Sequence, residues 1–270
     1  MSSAERREPR AESLIAESRE PSAEGPLWDG HTADALAQLC GVPRLDLFDV
    51  IDSTLDAAHA AAEAGASSGT VVLADSQRAG RGRMGRAWSS EPGRGVWCTV
   101  VERSVELQAL DVLSIRVGIE VAERLDASAA DTVGLKWPND LVLGTGKLGG
   151  ILVEARWSGS SLAWAAVGVG VNVVPPAGLA RAARLPKDAT RPAVLVAAVT
   201  GVRAAAARPG HLTPDELARF AKRDALRGRR IVEPLAGLVS GIAPNGALIV
   251  ETRRGAERIR TGTIRLAEGT

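Results

Sequence analysis

The chain has 270 residues, with 33 Lys and Arg against 32 Asp and Glu, a formal charge of +1. So balanced a chain has no global field for nucleic acid or a membrane surface, and any cationic chemistry is local. Hydrophobic residues make up 45 %, enough for one large cored domain or one domain plus a small appendage.

Residues 1–28 are charged, carry Ser, Pro and Gly, and read as a disordered tail. "TADALAQLC" reads as a short helix, and "LDLFDVIDST" as a strand running into a turn. In "STLDAAHAAAEAG", Ser53 or Thr54 caps a helix that Gly65 ends. "GTVVLAD" is a buried strand by its β-branched run. The loop "GRGRMGRAW" (residues 80–88) leads to the strand "RGVWCTVVE". "LQALDVLSIRVGIEVAERLDA" repeats apolar residues at helical spacing and predicts one long amphipathic helix. Strands follow in "TVGLKW", "PNDLVLGTG", "KLGGILVEAR" and "SLAWAAVGVGVNV", then a helix in "RPAVLVAAVTGVRAAAA". "TPDELARFAKRD" starts strongly, with Thr213 as N-cap and Pro214 at the first helical position. After Gly228, short strands broken by turn signals predict a small β-barrel. The fold class is therefore α+β. A mixed or antiparallel sheet backed by helices on one face fills residues 29–225, and the barrel fills residues 226–270.

Cys40 and Cys98 stand alone, and His31, His59 and His211 lie at no ligand spacing. A disulfide framework and a zinc site are not expected, and a reducing cytoplasm fits. The N-terminal stretch has no apolar segment like that of a signal peptide, and no run is long enough to span a bilayer.

"GRGRMG" matches G-x-G-x-x-G, but a dinucleotide fingerprint needs a helix directly after the glycines. Here the loop runs into "RAWSSEPGRGVW", which cannot start one. RGG-type RNA binding uses long low-complexity tracts, and this element is single and short. A solvated hairpin loop is the plain alternative. The chemical one is a mobile lid over a small anion: glycines permit close backbone approach, and guanidinium forks suit phosphate and carboxylate. "KWPND" (Lys136–Asp140) and "GTGKLGG", with Lys147 before Gly149 and Gly150, offer two more cations at strand ends. The second stretch is not a P-loop, because Leu141 and Leu148 stand where Gly and Ser or Thr are needed.

Taken in order, "SQRAGRGRMGRAW", "LKWPND" and "KLGGILVE", with "IDST" before them and "VGVGVN" after, resemble the biotin protein ligases across residues 45–268. The resemblance implies a class II synthetase-like catalytic fold and a two-step reaction. ATP activates biotin to biotinyl-5'-AMP, and a lysine of a biotin carboxyl carrier protein takes the acyl group. It also implies residue roles. Ser53 and Thr54 would hold biotin's ureido ring, and Gln77, ahead of the lid, Gly80, Gly82, Lys147 and Gly150 would also bind biotin. Arg81 and Arg83 would be the lid arginines that bind carboxylate and phosphate, and Arg86 would hold pyrophosphate. Lys136 and Lys147 would neutralise charge at the α-phosphate, with Lys147, Arg83 and Lys136 as the catalytic set. Asn139 and Asp140 would fix the turn and orient lysine or metal. Asn172 would meet adenine, with Gly168 and Gly170 letting the base approach. Trp88, Trp97 and Trp137 would wall the pockets.

Magnesium is implied with the triphosphate, its ligands unassigned. The resemblance leaves a homodimer through a sheet edge open. The residues before the core are too few and too polar for a helix-turn-helix, so a monofunctional ligase without operator binding is expected. Lipoate and octanoate transferases share the catalytic fold but typically lack the Gly-Arg loop, and the loop separates the two readings. A non-enzymatic nucleic-acid module conflicts with the near-zero charge. Two positions depart from the family pattern: Leu55 replaces the usual Asn after Ser-Thr, and Gly262-Thr263 replaces Gly-Glu near the C-terminus.

Overall fold

The computed structural model of the chain describes residues 25–174 and 182–267. Residues 1–24 of the expected tail lie outside the described residues. Its last residue, Trp28, is buried under the Arg191 guanidinium, 4.2 Å from the ring centroid. The packed chain therefore begins by Trp28 rather than at Asp29.

Seven strands form the main sheet: β1 (Leu45–Ile51), β2 (Val71–Gln77), β3 (Gly95–Glu102), β4 (Gly134–Lys136), β5 (Asp140–Leu143), β6 (Gly146–Ser158) and β7 (Ser161–Asn172). Their order is β1-β2-β3-β7-β6-β5-β4. Only β1 and β2 run parallel, joined by helix α2 (Thr54–Glu63); every other pair is antiparallel. Side chains alternate across a strand. On one face, Val71, Leu73, Val96, Cys98, Val100, Val167, Val169 and Val171 enter the main core. Helices α1 (Ala33–Cys40), α4 (Leu113–Leu125) and α5 (Arg191–Ala206) cover that face. On the other face, Val72, Val101 and Ala166 pack against Leu55, Ala58 and Ala62 of α2. The helices thus lie on both faces, not one. A strand buried on both sides reads as a continuous apolar run, and "VVLA" gives no alternation to reveal the second face.

The long helix expected from Leu107 is broken. A four-residue α3 (Leu107–Leu110) ends before Val112, which adopts φ −112° and ψ 1° and starts α4. The break turns Asp111 toward Arg260, which donates to it at 3.0 Å. Helix α6 (Pro214–Ala221) has the expected Thr213 cap, completed to a capping box by Glu216.

The C-terminal unit holds β8 (Arg230–Glu233), β9 (Gly237–Ile242), β10 (Leu248–Thr252), β11 (Gly255–Ile259) and β12 (Arg265–Leu266). These pair as one antiparallel sheet in the order β11-β10-β9-β8-β12, an open order with β11 and β12 at its edges among the described residues. The Trp137 indole anchors this unit to the main sheet by donating to the Gly246 carbonyl at 2.8 Å.

Candidate active site

A cavity of about 660 Å³ opens on the α2 side of the main sheet. The sequence places its walls by period: Gly168, Gly170 and Asn172 alternate with core valines on β7, and Gly150 and Leu152 follow on β6. Of the residues expected at the site, all but Gly80 line it: Ser53, Thr54, Gln77, Arg81, Gly82, Arg83, Arg86, Trp88, Lys136, Asn139, Asp140, Lys147, Gly150 and Asn172. Gly80 stands just behind, and a Cβ there would lie 2.7 Å from the Trp88 carbonyl. The wall also includes Gly262, Thr263 and Ile264 from the C-terminal unit.

The polar end is prearranged. Gln77 Oε1 accepts from the Thr54 amide at 2.9 Å and from the Thr54 hydroxyl at 3.1 Å. The Gln77 amide donates to Ser90 Oγ at 2.8 Å, and Thr99 Oγ1 donates to Thr54 Oγ1 at 2.9 Å. Ser53 holds the N-cap position of α2 without a side-chain cap bond. Its buried hydroxyl instead accepts from Arg81 at 3.2 Å. A polar end of this kind can turn hydroxyl and amide groups to a urea-like ligand.

The Gly-Arg loop is a tight hairpin, not an open coil. Gly82 donates to the Arg86 carbonyl at 2.7 Å, and Trp88 donates to the Gly80 carbonyl at 2.8 Å. At its tip Met84 takes φ +58° and Gly85 φ +70°. Glycine adopts such angles freely; methionine does so only under constraint. The tip touches the C-terminal unit: Arg86 donates to Thr263 Oγ1 at 2.8 Å and Arg83 to Thr261 Oγ1 at 3.4 Å. Arg83 also reaches Asn139 Oδ1 at 3.3 Å. Burial, with Arg86 nearby, lowers the Arg83 guanidinium pKa from its ordinary value against the pull of Asp140.

Three expected ligand contacts are redirected. Arg81 is engaged by carboxylates, at 2.7 Å to Asp56 and 3.1 Å to Glu154. The glycines of β7 admit side chains: a Cβ at Gly170 would lie 2.8 Å from Trp88, and one at Gly168 would lie 3.4 Å from Leu55. Leu55, the departure from the family pattern, is therefore a buried packing partner of Gly168. Asn172 uses its side-chain amide on the Lys147 carbonyl at 3.3 Å.

The cations gather opposite. Lys147 Nζ sits 2.7 Å from Asp140 Oδ1 and 5.1 Å from the Trp88 ring centroid. The Trp88 ring stands edge-on to Trp97 at 6.2 Å. Lys136 meets no carboxylate at ion-pair distance among the described residues. Asn139 locks the turn by donating to the Ile151 carbonyl at 2.8 Å, after a cis Trp137–Pro138 bond. Arg83, Arg86, Lys136 and Lys147 thus share one cavity with a single carboxylate among the described residues, Asp140. Such a site draws two anionic groups together by cancelling their repulsion.

Asp56, His59, Glu154 and Thr99 were not legible as site residues. Two signals were available. Asp56 stands three residues after Ser53 on α2, and Glu154 continues the Gly150, Leu152 alternation on β6.

Residues 47–172 match the family described as the Biotin/lipoate A/B protein ligase family. A Bacillus spizizenii protein named "Bifunctional ligase/repressor BirA" is 38 % identical over 126 residues, covering 46 % of this chain and 39 % of that protein. A Mycobacterium tuberculosis protein named "Biotin--[acetyl-CoA-carboxylase] ligase" is 37 % identical over 140 residues, covering 49 % of this chain and 50 % of its own length. The chain thus spans two fifths to half of the length of these curated relatives. A solved structure titled "Biotin protein ligase from Aquifex aeolicus in complex with biotin and ATP" superposes with a TM-score of 0.67 at 25 % identity, covering 83 % of this chain and 99 % of that one.

Proposed function

We propose, from the match of residues 47–172 to the Biotin/lipoate A/B protein ligase family and from the geometry of the cavity, that this chain is an ATP-dependent, AMP-forming biotin protein ligase. Biotin and ATP are its small-molecule substrates. A biotin carboxyl carrier protein is its macromolecular one. The observation that carries the reading is the convergence of Arg83, Arg86, Lys136 and Lys147 on one cavity that also has a hydroxyl- and amide-lined end.

In the first step a biotin carboxylate oxygen attacks the α-phosphorus of ATP, and pyrophosphate leaves with the electron pair of the broken P–O bond. Two anions must approach each other, so catalysis is mainly positioning plus charge cancellation. Ser53, Thr54 and Gln77 hold the ureido ring, while the Trp88 and Trp97 faces and Leu152 line the aliphatic path. Lys147, steered by Asp140, and Arg83 neutralise charge on the carboxylate and the α-phosphate. Lys136 joins them at the α-phosphate, and Arg86 takes the leaving pyrophosphate. In the second step a neutral carrier lysine attacks the acyl carbon, the amide forms, AMP leaves, and the lysine proton passes to water. Closure of the hairpin keeps water from the mixed anhydride.

Magnesium commonly binds through one or two carboxylates plus substrate phosphates. Asp140, the one cavity-lining carboxylate among the described residues, fits that pattern. When bound with the triphosphate, the ion supplies further charge neutralisation there.

We assign residues 29–225 to the catalytic domain and residues 226–270 to a barrel-like unit that caps the cavity. Support comes from the backbone pairing of Leu135 with Arg223 and Ala225, which ties the chain up to that boundary to β4. No helix among the described residues is long and apolar enough to cross a membrane. We place the enzyme in the cytoplasm, where the free, buried Cys40 and Cys98 are at home.

The test is biotin-dependent exchange of pyrophosphate into ATP. Wild-type protein exchanges label only with biotin present, and Lys147→Ala loses at least about a hundredfold of that rate, as removal of one charge-stabilising donor does elsewhere. Exchange that is absent in the wild type, or undiminished in Lys147→Ala, defeats the assignment.

A further inference from the structure

Arg81 occupies the loop position where a ligand-binding guanidinium is implied, yet its head group is fully engaged by the protein. Nη1 and Nη2 fork onto Asp56 at 2.8 and 2.7 Å, and Nε donates to Glu154 Oε1 at 3.1 Å. Nη1 also reaches Ser53 Oγ, and Nη2 reaches Glu154 Oε2 at 3.3 Å. Behind Glu154 stands His59, whose Nε2 lies 3.0 Å from Glu154 Oε2. The Trp164 indole lies 3.0 Å from His59 Nδ1. An indole N–H can only donate, so Nδ1 accepts and the ring proton sits on Nε2, directed at Glu154. The relay Trp164–His59–Glu154–Arg81–Asp56 joins β7, α2, β6 and the hairpin.

We propose that Glu154, oriented by His59 and Trp164, is a positioning residue that fixes the hairpin through Arg81, so that Arg83 and Arg86 reach the cavity in one register. What the hairpin covers rests on the ligase reading; how it is held rests on these hydrogen bonds alone. Charge-assisted bonds to a forked guanidinium are the strong kind, and two of the three elements they join are regular secondary structure. Asp56 sits below the ordinary carboxylate range because Arg81 donates to it. Burial pushes Glu154 up, but the Arg81 and His59 bonds bring it below the ordinary range. Both carboxylates are thus held in the charged form that the relay requires.

Glu154→Gln is the discriminating change. A Gln carbonyl can take only one of the two oxygen positions, so its amide then faces a donor, either Arg81 Nε–H or His59 Nε2–H, and the negative charge is lost. Limited trypsin digestion of the ligand-free protein reads hairpin opening as cleavage after Arg83 and Arg86. We expect about tenfold faster cleavage there in Glu154→Gln, the effect of losing one charged hydrogen bond, and cleavage after Arg227 and Arg229 at the wild-type rate. His59→Gln, which breaks the relay one step further back, gives a smaller increase at the same two bonds. With biotin and ATP, Glu154→Gln also releases biotinyl-adenylate faster. Unchanged cleavage at Arg83 and Arg86 overturns the proposal. So does acceleration at all four arginines in proportion to a lowered melting temperature, which marks a merely structural role. The digestion decides without any ligand, so a protein that makes no adenylate fails the ligase reading and leaves this result standing.

Discussion

Gly168 and Gly170 stand two residues apart on β7 and face the same side of the sheet, so one added methyl at each probes neighbouring points of the cavity wall. At Gly170 the new Cβ lies 2.8 Å from Trp88 Cε2 and 2.9 Å from both Cζ2 and Nε1. Contacts between carbon atoms settle near 3.5–4.0 Å, so the indole must retreat by roughly 0.7–1 Å. The indole is rigid and lines the cavity, so a shift away from β7 alters the cavity wall. Overpacking costs about 1–3 kcal/mol, and a ring with open space beside it falls at the low end. For a chain of this size that lowers the melting temperature by about 2–4 °C. The functional loss is larger, because a misplacement of about 1 Å at a reacting site can cost on the order of a hundredfold. At Gly168 the nearest atom is Leu55 Cγ at 3.4 Å, an ordinary contact. Gly170→Ala is therefore expected to lose at least about tenfold in kcat/KM for biotin, and Gly168→Ala to stay near wild type. Pyrophosphate exchange with calorimetry on both variants is the assay. Equal losses in the two, or a neutral Gly170→Ala, refute the claim that the Trp88 ring, packed against Gly170, forms the wall.

Three further outcomes follow from the packing. Arg116 and Glu216 are each about 1 % exposed and paired at 2.7 Å, with Arg116 also donating to the carbonyls of Arg208, Gly210 and His211. Arg116→Met should cost about 3–5 kcal/mol in urea unfolding, because Glu216 is left buried without its main partner; a loss under about 1 kcal/mol counts against it. Trp137→Phe should loosen the C-terminal unit by leaving the Gly246 carbonyl unpaired, at about 1–3 kcal/mol, seen as faster amide exchange in β9 and β10 than in β3 and β7. The third outcome concerns acid. Asp56, Glu120, Asp126, Glu154 and Glu216 all sit below their ordinary values; the Arg81 bond is the largest influence on Asp56, and at the other four burial pushes up but is overridden by arginine bonds, helped by the Val133 amide at Asp126, His59 at Glu154 and the Thr213 amide at Glu216. Depressed carboxylates contribute stability above their unfolded pKa and lose it as pH falls through the folded value. The urea midpoint should hold from about pH 7 to 5 and fall steadily below about pH 4; a midpoint flat to about pH 2 contradicts this.

The sequence carried most of the strand order's raw material but not its layering. Period 2 in "VGVGVN" separated the core valines from the cavity glycines, and Thr213-Pro214 marked a helix start that the structure keeps. The break at Val112 was invisible because apolar spacing runs on through it, and a tertiary ion pair, Asp111 with Arg260, accompanies the turn. At the site, the motif residues gathered as expected because each lies at a strand end or on the hairpin above it. The sequence could not show how their head groups are shared. Arg81 looked like its neighbours Arg83 and Arg86, and only the long-range approach of Asp56 and Glu154 separates its task from theirs. Gly170 looked like room for a ligand, and a tryptophan from another segment fills it.

The central claim is that these cations and this polar end join biotin to a protein through an acyl-adenylate. Its most direct test is the mass of a biotin carboxyl carrier domain after incubation with the protein, ATP and isotopically labelled biotin. The account predicts a gain of one labelled biotinyl group on a single carrier lysine, dependent on ATP and lost in Lys147→Ala. A carrier that keeps its mass while the wild-type protein is folded and ATP is present contradicts it.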